Sequence, residues 1–511
     1  QMQPIAIRIH KNDNVVTAKS DIDININIDE ENVNTNQHIP VGHKVATQNI
    51  SQGDEIIKYD TIIGIAKENI KIGDHVHVHN TGMVDSKKDY QFSQGCKNNE
   101  VLPENERATF MGYQRPNGKV GTRNFIGIIS SVNCSATVCK KIAESFSEEA
   151  LSEYENVDGI VSITHGTGCG INSKGLGWEL LQATIAGYSR HPNFGGLIVI
   201  GLGCEVNQVS GMAQSMDWAS SDTFKMMTIQ EVGGTRKTIQ EGVEMIKQML
   251  PILNKNKREK SPASELILGL ECGGSDAYSG MTANPALGSA VDLLVKNGGT
   301  GTLAETPEIF GAEHLLTRRA INEEVGQKIV NFIKWWQEDY LVKFEENREQ
   351  LHQDPSPGNK AGGLTTILEK SLGAVAKGGT TNLVDVYQFA ENIKAKGFTF
   401  MNTPGYDVTS VTGLIAGGAN MICFTTGRGS VFGCKPAPSI KLATNDDLYN
   451  RMTEDMDVNC GKILLGESTI DEMGEEIFQL ILDVASGKQS KSEINGLGDL
   501  EFVPWQMGAI T

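Results

Sequence analysis

Apolar and polar residues alternate in short runs between residue 4 and about residue 80, as in residues 21–29 (DIDININID) and 55–59. A period of two, punctuated by Gly42, Gly53, Gly64 and Gly73, predicts short strands and turns, hence a small all-β module over residues 1–84. Residues 85–108 are polar and aperiodic and read as a linker, in which Cys96 is taken as inert. After Phe110 the pattern changes. Short β-branched apolar runs alternate with helical periods at 136–152, 174–189 and 235–253, which predicts βαβ units and a parallel sheet covered by helices. The charged stretch 254–262 interrupts this first α/β unit, and a second follows. Its predicted strands are 266–270, 300–305, 381–386 and 419–425, with a long amphipathic helix from about 322 to 352. The expected class is therefore α/β: a β module, a linker, and two α/β units over 109–260 and 261–511 with mainly parallel sheets.

Chemistry clusters where apolar runs stop. IGIISSVNCS (126–135), GIVSITHGTGCG (159–170) and GGLIVIGLGCE (195–205) each read as strand then loop, and Cys134, Cys169 and Cys204 recur at intervals of 35 residues. In an open parallel sheet such loops meet at the carboxyl ends of the strands, where small-molecule sites form. The three thiols admit three readings: ligands of an iron–sulfur cluster, lining of a mononuclear metal site, or small fillers. Glu205 follows the last of them, and ELILGLECGGSD (265–276) brings Asp276 to a fourth strand end. Asn133 and Ser275, beside Cys134 and Asp276, are the accompanying candidates for substrate binding.

Three histidines, His75, His77 and His79, alternate along GDHVHVHN and would share one face of a strand. With His10 or His43 from neighbouring strands they could ligate a divalent transition metal. The i, i+2 spacing of ~6.6 Å on a strand prevents one ion from taking all three without a bend. In PSPGNKAGG (355–363), two prolines and Gly358 shape a rigid loop that delivers Asn359 and Lys360 at a helix start. FTTGRG (424–429) ends a strand and offers Arg428 between glycines, a planar fork suited to a carboxylate.

Composition narrows the partners. A chain of 511 residues exceeds one core, and 45 Lys+Arg against 63 Asp+Glu give a net charge of −18 without a basic stripe, which argues against nucleic acid. Nine cysteines and no apolar leader favour reduced thiols and a cytoplasmic setting. No run reaches the ~18 apolar residues of a membrane span. A homo-oligomer, a dimer first, is the expected assembly.

Taken together, RIHKNDNV (8–15), VGHKVA (41–46), DHVHVHN (74–80), RPNGKVGTRN (115–124), IGLGCE (200–205), LECGGSDAYSGMTANPALG (270–288), PSPGNKAGG and FTTGRG resemble the altronate/galactarate dehydratase family of sugar-acid hydro-lyases. The resemblance spans essentially the whole chain and implies that the first module is of the SAF (β-clip) type. DHVHVHN and ETPEIFGAEHLL (305–316) lean toward the altronate branch. It further implies dehydration of an aldonate, D-altronate first, to a 2-keto-3-deoxy acid with a divalent metal, Fe2+ or Mn2+. In that chemistry Lys360 or Arg428 would pair with the substrate carboxylate, and Glu205 and Asp276 would bind metal or move protons. His10, His43, His75 and His77 would supply metal ligands or the base. Galactarate dehydration and non-catalytic sugar-acid binding are the alternatives.

Overall fold

The computed structural model describes residues 3–84, 89–215, 220–344 and 355–508. Short antiparallel strands build the N-terminal module. One sheet orders Ala6–Ile7, Val15–Ala18, Lys44–Ala46 and His75–Val76, and a second joins Glu55–Lys58, Thr61–Ala66 and Thr81–Gly82. Residues 21–29 depart from expectation, for only Asn27–Ile28 is strand. There Asn25 takes a left-handed φ of 61°, the Thr35 hydroxyl bonds Asp23 and Ile26 in place of a ladder, and Ile24 and Ile26 stay exposed. Alternation alone does not make a strand when no partner covers the apolar face.

Residues 89–107 have little regular structure, but they are tied down. Tyr90 donates to Glu313, Gly95 N–H to the Arg318 carbonyl and Lys97 N–H to Asn382, so this segment straps across the C-terminal unit.

In the middle unit, strands β1 (Phe125–Ser130), β2 (Gly159–Ile163), β3 (Phe194–Gly201) and β4 (Phe224–Thr228) form a parallel sheet of order β2-β1-β3-β4. Every residue of β1 is buried, as its unbroken apolar run requires for a central strand covered on both faces. The stretch read as an interruption is partly a strand. Glu259–Pro262 pairs antiparallel with Thr109–Gln114, joining the entry and exit of this unit. Its charged residues Glu259 and Lys260 face solvent at a sheet edge while Ser261 is buried, so their charge does not oppose the strand.

The C-terminal unit is built on a seven-stranded parallel sheet. Its strands are β5 (Ile267–Cys272), β6 (Thr300–Leu303), β7 (Leu383–Tyr387), β8 (Gly397–Met401), β9 (Met421–Thr426), β10 (Ser439–Ala443) and β11 (Val458–Asn459), in the order β7-β8-β6-β5-β9-β10-β11. Two expected helices are shorter or broken. The helix at 136–152 splits into Ala136–Glu144 and Glu148–Leu151, where Ser147 caps a new start. The helix begun at Asn322 runs Glu323–Lys334, widens to a π turn over Trp335–Tyr340, and continues to Phe344. Its expected end at 345–352 lies outside the described residues. No described helix is long and apolar enough to cross a membrane.

Candidate functional site

The strand His75–Val76 ends after two residues, and the Asn80 N–H bonds back to the His77 carbonyl. That turn supplies the bend which a straight strand lacks. His75 and His77 then converge with His43 from the neighbouring strand, all three offering ligand atoms within 4.8 Å of one another. His43 Nδ1 lies 2.9 Å from His75 Nε2, while His43 Nε2 lies 3.1 Å from the Ala361 carbonyl. Because a carbonyl only accepts, His43 carries its proton on Nε2 and turns the Nδ1 lone pair toward the cluster. His77 Nδ1 is buried with no hydrogen-bond partner among the described residues. Burial, His43 and Lys44 push His77 down to about 3, and burial with His43 and His79 pushes His75 down to about 4. Neutral imidazoles with an orphaned nitrogen and a second N–H held by a backbone carbonyl fit a divalent transition metal. His10 does not join them, because its ring lies 3.4 Å from Asp60 at the module surface. His79, exposed, lies tilted against His75 with ring centroids 5.2 Å apart.

The cluster sits where the module docks. Lys44 and Lys58, both buried, reach Glu369 at 3.0 and 2.8 Å, and Lys44 also donates to the Gly363 carbonyl. Burial would raise the Glu369 carboxyl, but the two ammonium groups outweigh it and hold it far below the ordinary range. Burial pushes Lys44 down to about 8, more than Glu369 returns. Nothing local in the sequence marks this trio, since more than 300 residues separate Lys44 from Glu369.

Across the segment 361–363 lies a pocket of about 390 Å³ lined by Asp276, Tyr278, Ala361, Arg428, Asn445 and Arg451, among others. Ala361 links the two places, its carbonyl holding His43 while the residue walls the pocket. The Asp276 carboxylate is buried and accepts hydrogen bonds from Thr444, Asn445, Ser279 and the Tyr278 N–H. Burial raises its pKa, and those donors oppose the rise. Lys360 is half-buried near the end of the short helix Pro357–Ala361, while Arg428 is exposed at the pocket. Asn359 and Ser275 are joined to each other: the Asn359 amide caps its own helix and donates to the Ser275 carbonyl at 2.8 Å. Neither of these two residues lines the pocket, and nor does Lys360; Asn359 fixes the loop that carries Lys360, and that loop's next residues, Ala361 and Gly362, form the wall.

Gly427 shows how tight this frame is. A Cβ there would fall 2.1 Å from Asp276 Cγ. Gly427→Ala is expected to cost about 1–3 kcal/mol of stability by overpacking, checked by the midpoint of thermal unfolding. An unchanged midpoint would mean that Asp276 is free to move.

A second polar cluster lies in the C-terminal unit. At the carboxyl ends of β5 and β6, the carboxyl groups of Glu271, Glu305 and Asp407 gather, and Cys272 contacts Glu305 and Glu308. Both oxygens of Glu271 and one of Glu305 are buried and unpaired among the described residues. Burial pushes Glu271 up to about 8, while burial and then Glu271 raise Glu305 well above the ordinary range. Glu305 adopts φ 68°, a strained conformation for a side-chain-bearing residue. Glu308 stays charged because Lys370, at 2.6 Å, and Lys377 outweigh its burial. The two lysines thus favour the charged form of Glu308, while burial favours the protonated forms of Glu271 and Glu305. Glu271 and Glu305 stand in segments already singled out, but Lys370, Lys377 and Asp407 come from separate helices and carry no local mark.

Glu205, Asn133 and the three thiols lie elsewhere, at the carboxyl ends of β1, β2 and β3. The Glu205 carboxylate is buried and occupied, accepting the Ser131 hydroxyl and the N–H groups of Leu202 and Gly203. It clamps its own loop. Asn133 is exposed and bonds the His165 carbonyl. No residue of these loops lines the pocket at Asp276.

Comparison with known proteins covers all three units. Residues 4–84 match the family described as altronate/galactarate dehydratase SAF domain, 112–254 the second domain of D-galactarate dehydratase/altronate hydrolase, and 263–510 the C-terminal domain of D-galactarate/altronate dehydratase. The chain is 38% identical to altronate dehydratase of Bacillus subtilis, covering 97% of both chains. It is also 38% identical to galactarate dehydratase (L-threo-forming) of Escherichia coli, covering 94% of this chain and 93% of that one. Altronate dehydratase of Escherichia coli is 35% identical, over 97% of this chain and 98% of that one.

Proposed function

Because this chain belongs to the D-galactarate/altronate dehydratase family, we propose that it is a sugar-acid hydro-lyase that converts D-altronate to 2-keto-3-deoxy-D-gluconate. The observation that carries this reading is the single seam at Ala361–Gly363, with neutral imidazoles on one side and a buried carboxylate beside arginine on the other. The proton at C2 of an aldonate is weakly acidic, and its removal concentrates negative charge on the carboxylate oxygens. Arg428 and Lys360 pair with that carboxylate and favour the charge that develops there. Asp276, held in one orientation by four donors and made more basic by burial, takes the C2 proton. His43, His75 and His77 would hold Fe2+ or Mn2+, which would supply Lewis acidity when bound. The hydroxyl at C3 leaves as water, and the enol that remains tautomerises to the 2-keto acid.

The identity of 38% to relatives named for altronate and for galactarate leaves the choice to the pocket. Galactarate has a carboxylate at each end, and Lys19 and Arg451 in the same pocket make it the second reading. Assaying 2-keto-3-deoxy acid release from altronate, galactarate, mannonate and gluconate with Fe2+ separates the two. Lys360→Ala and Arg428→Ala are each expected to lower kcat/KM by about tenfold or more, as loss of a charge-assisted pair requires. If both variants stay within about twofold of the parent, the carboxylate clamp is wrong.

A further inference from the structure

The middle unit carries chemistry that the pocket at Asp276 leaves unused. Cys134, Cys169 and Cys204 are all exposed, whereas Cys139, Cys272, Cys423, Cys434 and Cys460 are buried, and all of these thiols are free. The three follow β1, β2 and β3, which are adjacent in the order β2-β1-β3. Neighbouring strands lie ~4.8 Å apart, so three consecutive strand ends span only about 10 Å.

The loops that present these thiols are laced together. Asn133 N–H bonds the Thr167 carbonyl, Asn207 N–H bonds the Gly168 carbonyl, and the Asn207 amide bonds the Ser131 carbonyl. Glu205 clamps the Cys204 loop to Ser131. Gly168, at φ 100°, passes so close to Ser131 that a Cβ would lie 2.4 Å from its carbonyl oxygen. The Gln230 amide donates to Cys204 Sγ at 3.4 Å. Residues 131–135, 165–170 and 203–207 thus form one braced platform rather than three independent loops, a costly arrangement for thiols that merely face solvent.

We propose that Cys134, Cys169 and Cys204 are the protein ligands of an iron–sulfur cluster. Among the described residues, the three thiols are not one of the groups whose ligand atoms all lie within 4.8 Å of one another. One mononuclear ion therefore does not take all three as they stand. A cluster suits them better, because its thiolates bind separate irons across a wider body. Loading releases the three thiol protons and takes ferrous and ferric iron in equal parts with sulfide, so that no electron is gained or lost. With three thiolates, a cluster of four irons keeps one iron open to an oxygen ligand. The Gln230 amide, directed at Cys204, is placed to tune the site through its sulfur.

The test uses full-length protein purified without oxygen, loaded with equal Fe2+ and Fe3+ and with sulfide, and assayed for iron and acid-labile sulfide without substrate. This makes it independent of the dehydratase reading. The parent should hold both, with broad visible absorption. Each of Cys134→Ser, Cys169→Ser and Cys204→Ser should lose the sulfide, while Cys96→Ser and His77→Ala keep it. Thiol alkylation of the loaded parent, read by mass spectrometry, covers a variant that misfolds: the three cysteines should be protected until a chelator strips the iron. Iron without sulfide, sulfide retained in the three variants, or thiols labelled equally before and after chelation would each overturn the proposal.

Discussion

Glu369→Ala is expected to destabilise the folded protein by about 3–5 kcal/mol, the usual cost of stripping one partner from a buried ion pair. Two buried ammonium groups, Lys44 and Lys58, would then stand together on the module's side of the docking seam without a counter-charge. The effect is read as a lower midpoint in urea, together with faster proteolysis of residues 89–107, which strap across the C-terminal unit. Replacing all three residues with apolar ones, Lys44→Met, Lys58→Met and Glu369→Leu, should recover most of the loss. A Glu369→Ala variant as stable as the parent would show that the module docks by apolar contact alone.

Acid should loosen the same seam. The Glu369 carboxyl sits far below its unfolded value, so its contribution is complete at neutral pH and is lost as pH falls toward the folded value. His75 and His77 act in the same direction. Their folded values of about 4 and 3 lie below the ordinary 6.5, so the unfolded chain binds more protons within that window and stability drops as pH falls through it. Thermal midpoints measured from pH 7 to pH 4 should decline, and His77→Ala should flatten part of the decline.

His77→Ala is expected to weaken Fe2+ or Mn2+ binding by at least about 100-fold, since even outer-shell changes cost up to that much. Activity with altronate should fall in parallel. Isothermal titration of the chelated protein measures the affinity, and Glu271→Gln is the comparison. Glu271, with Glu305 and Asp407, forms the other constellation able to hold a cation. Loss of binding in Glu271→Gln with retention in His77→Ala would move the metal from the seam to the carboxylates. Loss in His77→Ala alone keeps it with the imidazoles.

Much of the architecture is legible before any coordinates. Unbroken apolar runs such as 194–201 mark buried parallel strands, and the helix Thr235–Leu253 follows from its period. The strands Gly397–Met401 and Ser439–Ala443 carry no such mark, because buried strands of mixed composition, with Thr399 and Lys441 inside them, lack that signature. The hydrophilic run at 21–29 erred in the opposite sense: its alternation is real, but Ile24 and Ile26 find no covering layer.

What the sequence alone determined is the family, the α/β class with its β-rich start, and the loops in which reactive residues are concentrated. These depend on local periodicity and on which residues stand next to glycine, both of which are properties of neighbouring positions. Only the tertiary structure decided which of those loops meet. It set His43 with His75 and His77 and left His10 outside, turned Glu205 into a clamp on its own loop, and assembled Glu271, Glu305, Asp407, Lys370 and Lys377 from five separate segments. Contacts of that kind arise from sheet order and from the docking of one unit on another. The spacing of residues along the chain carries no trace of either.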